Sequence, residues 1–341
     1  MGHILLMRYF AIIASILLAL NGCQVNAIGL DVASGWSYHS LGAWRQLTPT
    51  QADLGADGRW LYFGSELSEF SSVASVAALN VKNGHTHVLV EGLRNVHAVR
   101  FAPDGSLWVA EGGEQGEIWR MAEPGHFPDN QKVDAVARES THPGFAPFRF
   151  AGVFDHRAMA FSIDHRFAYL ADAAADGGLY RLNMRSRQLA VLHSEKGWLS
   201  VDPEGAVQLA RKMGAARFAA ISDIEPLPDG SLLLAESASG RILRLDDRGA
   251  KPHINTWLQQ SELHHPGDMA WDEERQWLWI ADASTPSTLW AWDGHNLHRI
   301  VRHERARISA VLAVAGKIYV SVHRGRNNPA MTFILRESSS E

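Results

Sequence analysis

One short pattern returns along this chain and constrains its fold more than any other feature. It is an apolar strand, an Asp-Gly turn, and a second apolar strand that ends on a small or acidic residue. With the turns in register it appears as "LGADGRWLYFGSE" (Leu54 to Glu66), "FAPDGSLWVAE" (Phe101 to Glu111) and "FSIDHRFAYLAD" (Phe161 to Asp172). It recurs as "PLPDGSLLLAE" (Pro226 to Glu236), "WDEERQWLWIAD" (Trp271 to Asp282) and "LAVAGKIYVSV" (Leu312 to Val322), about 40 to 65 residues apart. Five units carry an aromatic at one position of the second strand, namely Tyr62, Trp108, Tyr169, Trp279 and Tyr319, and Leu233 is the exception. A third strand follows in most units, as in "GEIWRM" and "GRILRL". Short alternating strands with turn signals between them, repeated at this length, read as an all-β, six-bladed β-propeller.

The two ends of the chain support that reading. After "MTFILRE" the last unit is one strand short of a four-stranded blade, while Gly35 to Leu47 ("GWSYHSLGAWRQL") has strand-like aromatic spacing and no unit of its own. An unpaired edge is a liability, so the N-terminal stretch is expected to close the last blade. The expected domain spans residues 35–337, with a tail over 338–341.

Residues 1–22 are set apart from the fold. A cation at Arg8 precedes an apolar run, Ala11 to Leu20, that is shorter than the ~20 residues needed to cross a bilayer. Leu20-Asn21-Gly22-Cys23 resembles the lipobox of bacterial lipoproteins. The resemblance implies acylation at Cys23, a tether over 23–34, and a place in the cell envelope. Gln24 in place of an aspartate points to the outer membrane, facing the periplasm. Cys23 is the only cysteine, so no disulfide, thiol nucleophile or cysteine metal cluster is available to the folded domain. With 37 acids against 32 bases the chain lacks the basic footprint of a nucleic-acid binder. The one basic stretch, His298 to Arg307, reads as a solvated outer strand. No G-x-S-x-G, H-E-x-x-H, Walker or EF-hand pattern occurs.

In a propeller the first strand of each unit lines the central channel, so its start and the end of the second strand share one face. The insertions Ala122 to Asp155 and Asn183 to Ala220 both precede a first strand and are expected to cover that face. Glu111, Asp172, Glu236 and Asp282 recur at one repeat position. A ring of such acids could hold calcium, but a residue demanded by every repeat is read more simply as ending its strand by accepting nearby backbone N–H groups. Function should break the symmetry.

At the channel mouth successive units place Thr50-Gln51, His97-Ala98, Arg157-Ala158, Ser222-Asp223, Gly267-Asp268 and Ile308-Ser309. Asp223 and Asp268, with Glu225, are the expected ligands for Ca2+ or another divalent cation. His97 is the expected base, Arg157 the anchor for an anionic substrate, and His156, His265 and His323 are expected to contact ligand. His85 and His87 alternate correctly for a metal pair but lie on an outer strand.

The units "HAVRFAPDGSLWVAE" and "SDIEPLPDGSLLLAES" resemble the six-bladed propellers related to SMP-30/gluconolactonase, strictosidine synthase and NHL-repeat proteins. That resemblance implies a divalent cation held by acidic and Asn side chains at the strand starts. The corresponding positions here read His97-Ala98, Arg157-Ala158 and Ser222-Asp223. "GVFDHRAMAFSIDHRFAYLADAAADGGLYRL" also resembles PhoX-type phosphatases. His156-Arg157 and Ala171-Asp172 stand where that family's His-Glu and acidic pairs are expected. Two readings stay open: an envelope propeller that binds a small molecule or an envelope protein, and a metal-dependent hydrolase of a small lactone, ester or phosphoester.

Overall fold

The computed structural model describes residues 30–44, 49–65, 74–93, 95–112, 117–122, 124, 136–137, 145–148, 156–172, 178–186, 189–194, 198–201, 207–210, 220–248, 252–323 and 330–338. Among them every regular element is a strand. The strands form six blades, each running outward from an inner strand A and antiparallel except where Val136–Ala137 adds in parallel. The inner strands are Pro49–Leu54, Val96–Phe101, His156–Phe161, Ile221–Pro226, Pro266–Asp272 and Arg307–Val314. Each neighbours the next, and the sixth neighbours the first, so the ring is closed. Six apolar clusters fill the six seams between blades, so among the described residues the core is divided among the seams.

The repeat signature explains how each blade is made. In the first hairpin turn the Asp carboxylate accepts the backbone N–H two residues on: Asp57 from Arg59 at 2.9 Å, Asp104 from Ser106 at 3.0 Å, and Asp229 from Ser231 at 3.0 Å. The following Gly58, Gly105 and Gly230 sit at φ of 65°, 78° and 84°, a region in which only glycine is unstrained. The aromatic of the second strand then packs across the seam. Tyr62 meets Phe101 edge-to-face at 4.9 Å, and Trp108 meets Phe161 at 5.5 Å. Such pairs add about 0.5–1.5 kcal/mol beyond their buried area.

Closure follows the expected route. Trp36–Trp44 pairs antiparallel with Ala330–Glu337, from Trp36 opposite Glu337 to Trp44 opposite Ala330, and becomes the outer strand of blade 6. Trp36 also packs edge-to-face on Trp279 of blade 5 at 5.3 Å. The tether boundary moves: Asp31–Val32 already pairs with the outer strand of blade 5, Asp31 opposite Arg302. Ser338 donates its N–H to the Gly35 carbonyl at 2.8 Å, so the fold also runs one residue past its expected end. The signal segment, Cys23 and residues 339–341 lie outside the described residues.

The two insertions are not spent as expected in their described parts. Phe145–Phe148 pairs with Ile118–Met121 as the outer strand of blade 2, and Val136–Ala137 adds to the outer edge of blade 1. Trp198–Val201 and Val207–Ala210 extend blade 3 outward. A four-stranded blade needs its outer strand before the chain can turn inward, and the insertion supplies it. The remaining insertion residues lie outside the described residues.

Candidate functional site at the channel mouth

Each inner strand carries an irregularity at the same place. The pairing with the second strand skips His97 in blade 2, Arg157 in blade 3, Ser222 in blade 4, Gly267 in blade 5 and Ser309 in blade 6. In blade 1 it slips between Pro49 and Ala52, over Thr50 and Gln51. A bulge bends its strand and re-aims a side chain. Here all six re-aimed positions (Thr50, His97, Arg157, Ser222, Gly267 and Ser309) line one small cavity of about 100 Å³ at the mouth. The sixth blade is corrected by one residue: its mouth pair is Ser309-Ala310, because its inner strand is longer by one residue before the turn.

Arg307, His323, Gln51 and Asp268 also line the cavity. Arg157 and Arg307 are exposed there. Burial and the neighbouring Arg307 push the His323 imidazole down to about 4, so it is neutral at pH 7. His97 is buried, and the Asn95 amide nitrogen donates to its Nε2 at 3.0 Å, which leaves the ring proton on Nδ1.

Below the cavity two inward columns run down the ring. Counting from the bulge, Gln51, Ala98, Ala158, Asp223, Asp268 and Ala310 occupy the first. Asp53, Arg100, Ala160, Glu225, Ala270 and Leu312 occupy the second, two residues further along each strand. Contacts cross the channel. The Gln51 amide of blade 1 donates to Asp223 of blade 4, and Arg100 of blade 2 lies 3.4 Å from Asp223 and 4.0 Å from Asp268 of blade 5.

The carboxylates also stitch adjacent blades. Asp53 accepts the Phe101 N–H at 2.8 Å, Asp223 that of Met269 at 2.7 Å, Glu225 that of Trp271 at 2.7 Å, and Asp268 that of Val311 at 2.7 Å. Each bond runs from one inner strand to the next blade's inner strand. Each inner strand is the free edge of its blade, so those N–H groups have no ladder partner, and the acids satisfy them.

This arrangement does not fit the expected divalent cation. Asp223, Asp268 and Glu225 have each committed one oxygen to a backbone N–H, and a fixed guanidinium stands among the rest. Burial opposes the Arg100 charge, but Asp223, Asp268, Asp53 and Glu225 more than offset that, so it is held firmly protonated. Among the described residues no three His, Cys, Asp or Glu side chains are grouped as metal ligands.

The acids outnumber the arginine and lie in a poor dielectric, so their pKa values move up. Burial, then Asp223, pushes Glu225 up to about 8. Burial raises Asp53 and Asp223 against the pull of Arg100, and burial with the adjacent Asp223 charge raises Asp268 further.

Of the residues singled out from sequence, His97, Arg157, His323 and Asp268 meet at the mouth, with Asp223 and Glu225 beneath them. His156 and His265 do not join them. His156 is buried opposite Asp172, one residue before the bulge. His265 Nδ1 lies 3.1 Å from the Ser237 carbonyl at the seam of blades 4 and 5.

The four repeat acids are buried within the blades. Asp282 accepts backbone N–H groups from His264 at 2.8 Å, His265 at 3.1 Å and Ser284 at 2.8 Å. Glu111 takes the Trp119 indole at 3.0 Å, and Glu236 takes Ser239 and Arg241 side chains. Asp172 sits at the matching place in blade 3. Arg100, Asp53 and Arg307 were missed. The signal for the first two was inward parity along "QADL" and "AVRF", two residues past the positions considered.

No protein-family model matches the chain, and no curated protein matches it. Solved structures do. A streptogramin B lyase superposes with a TM-score of 0.55 at 11% identity, over 90% of this chain and 100% of that one. A gluconolactonase from Xanthomonas campestris gives 0.56 at 12%, over 90% and 96%. A PQQ-bound aldose sugar dehydrogenase from Streptomyces coelicolor gives 0.54 at 12%, over 90% and 100%. At these identities the likeness shows the fold: a six-bladed propeller of the kind found in gluconolactonases. Three different chemistries on one scaffold leave function to be argued from the mouth itself.

Proposed function

We propose that the protein is a lipid-anchored envelope propeller that binds a small ligand bearing an anionic group at the channel mouth. The observation that carries this is the convergence of all six bulges on one small cavity with Arg157 and Arg307 at its rim. Two guanidinium groups at the rim of one small cavity suit a carboxylate or phosphate. A small ligand is favoured over a protein partner, because the only large hydrophobic side chains exposed among the described residues are Tyr38 and Ile163. Neither lines the mouth, so among the described residues no apolar docking patch is offered there.

The anchoring half of the reading rests on Leu20 to Cys23. Asp31 lies eight residues beyond Cys23 on the rim of blade 5, a reach of at most about 28 Å for an extended chain. The propeller would therefore be held close to the membrane, rim first. Metal-dependent hydrolysis is not carried forward, since Arg100 stands where the cation would have to be.

The test uses full-length protein in detergent micelles. Acetate, propionate and inorganic phosphate are titrated by calorimetry into wild type, Arg157→Ala and Arg307→Ala. Saturable binding to wild type that drops about tenfold in both variants supports the reading. Binding unaffected by either substitution would overturn it. Cys23→Ser should abolish incorporation of labelled fatty acid in cells; persistent labelling would overturn the anchoring.

A further inference from the structure

The place where the N-terminal segment joins the ring fixes the end of the propeller from which its tether arrives. Asp31–Val32 pairs antiparallel with the outer strand of blade 5, Leu297–His303, with Asp31 opposite Arg302 and Val32 opposite Val301. That outer strand rises from the hairpin-turn face to the mouth face, so the segment paired with it descends from the mouth face. Leu30 precedes the pair and packs into the seam of blades 5 and 6. It stands seven positions beyond Cys23, a reach of at most about 25 Å. Retracing the outer strand from His303 to Leu297 would use about 20 Å of that reach. The tether is therefore long enough to bring a bilayer against the mouth face of blades 5 and 6, and too short to carry one around to the turn face.

The two faces also differ in how their cations are matched. On the turn face carboxylates close at hand neutralise the guanidinium groups: Arg120 meets Asp104 at 2.9 Å, Arg166 meets Asp164 at 2.6 Å, and Arg275 meets Asp272 at 2.9 Å. Beside the tether Arg299 meets Asp31 at 3.6 Å and Arg302 meets Glu304 at 2.9 Å. Arg305 and Arg307 come next along the chain; both are exposed, and neither forms an ion pair among the described residues. Their backbone is nevertheless fixed. Buried His303 accepts the N–H groups of Arg305 at 2.9 Å and Ala306 at 2.7 Å, and the Ser287 hydroxyl accepts that of Ile308 at 3.0 Å. The connection from blade 5 to blade 6 thus holds two unmatched cations on the mouth face, on the side from which the tether comes.

We infer that the mouth face of blades 5 and 6 rests on the bilayer that holds Cys23, with Arg305 and Arg307 against the phosphates of anionic lipid headgroups. This rests on the anchoring reading above and names the face and the partner. Each basic side chain near an anionic bilayer strengthens association about fivefold. Two such contacts are weak for a free protein but suffice to orient a tethered one, because the tether already keeps the effective concentration of lipid high. The mouth cavity then opens beside the lipid surface.

The experiment uses full-length lipidated protein in vesicles of phosphatidylethanolamine and phosphatidylglycerol. A thiol-reactive fluorophore is placed on Glu304→Cys at the mouth face or on Glu273→Cys at the turn face of blade 5, and lipid with a nitroxide on its headgroup quenches it. Each variant removes one exposed acid of the same blade, so the two are matched in charge. The label of Glu304→Cys should be quenched several-fold more strongly than that of Glu273→Cys. Adding Arg305→Glu, or using vesicles of phosphatidylcholine alone, should remove most of that difference.

Equal quenching at the two positions, or stronger quenching at the turn face, overturns the inference and leaves the anchoring standing. A difference that survives both Arg305→Glu and the loss of anionic lipid overturns the headgroup contact. Protein that does not float with the vesicles overturns the anchoring, and the inference with it. Arg305 lies outside the lining of the mouth cavity, so Arg305→Glu should titrate with acetate as wild type does. A marked loss of acetate affinity would place Arg305 in the cavity and overturn its assignment to lipid.

Discussion

Glu225→Gln is the sharpest probe of the channel, because it removes a charge and keeps the shape. Glu225 Oε1 accepts the Trp271 N–H at 2.7 Å, and a glutamine oxygen can do the same. In the folded protein burial and Asp223 hold this carboxyl at about 8, against an ordinary 4.5. Between those values the native state binds a proton that the unfolded chain has lost, so stability falls as pH rises. The advantage is fully present below pH 4.5 and is gone above pH 8. The slope is about 1.4 kcal/mol per pH unit for one proton, or roughly 5 kcal/mol over the window. Glu225 keeps part of its surface open to the channel, where water softens the effect, so that figure is a ceiling.

The assay is urea unfolding monitored by tryptophan fluorescence at half-unit steps from pH 5 to 9. Asp53, Asp223 and Asp268 give wild type a falling profile of their own, and they remain in the variant. The quantity read is therefore the difference between the two profiles. Glu225→Gln should match wild type within about 1 kcal/mol at pH 5 and exceed it by several kcal/mol at pH 8 and above. Parallel profiles would refute a neutral buried Glu225, and with it the charge account of the channel.

Three further outcomes follow from the same geometry. Arg100→Met leaves Asp223 and Asp268 without their buried counter-charge and should cost about 3–5 kcal/mol at pH 7, with partial recovery at pH 5 as the acids protonate; unfolding at the two pH values checks this. Asp282→Ala strips the acceptor from the N–H groups of His264, His265 and Ser284, and should cost about 2–4 kcal/mol while leaving acetate affinity at the mouth unchanged. Deleting residues 36–44 removes the outer strand of blade 6 and exposes Ala330–Glu337 as an open edge; it should convert a monodisperse protein into aggregates on size-exclusion chromatography. A soluble, cooperatively melting deletion variant would disprove closure by this strand.

The six blades and their closing strand were legible because each depends on local, repeated chemistry. An Asp that caps its own hairpin turn and a Gly at positive φ leave the same mark wherever they occur. Trp36–Trp44 was legible by subtraction, as a strand without a unit opposite a unit without a strand. The described parts of the insertions follow a related logic. Length suggested a cover over the mouth, but blade 2 lacked a fourth strand, and Phe145–Phe148 was needed there first.

The channel was harder to read, because nothing local marks it. Gln51 and Asp223 are 172 positions apart in sequence, and Arg100 and Asp223 are 123 apart. In a ring the environment of an inward side chain is set by the other five members of its column and by the column below. Asp223 and Asp268, taken alone, look like metal ligands. Summed over two columns, they belong to a set of Asp53, Glu225 and Arg100 that already contains its own cation. The useful unit of reading is thus the column across all six repeats. With the turns aligned the columns can be written from sequence for blades 1 to 5, and for blade 6 after a shift of one residue; an arginine among four acids then shows that this channel neutralises its carboxylates with a side chain and with protons.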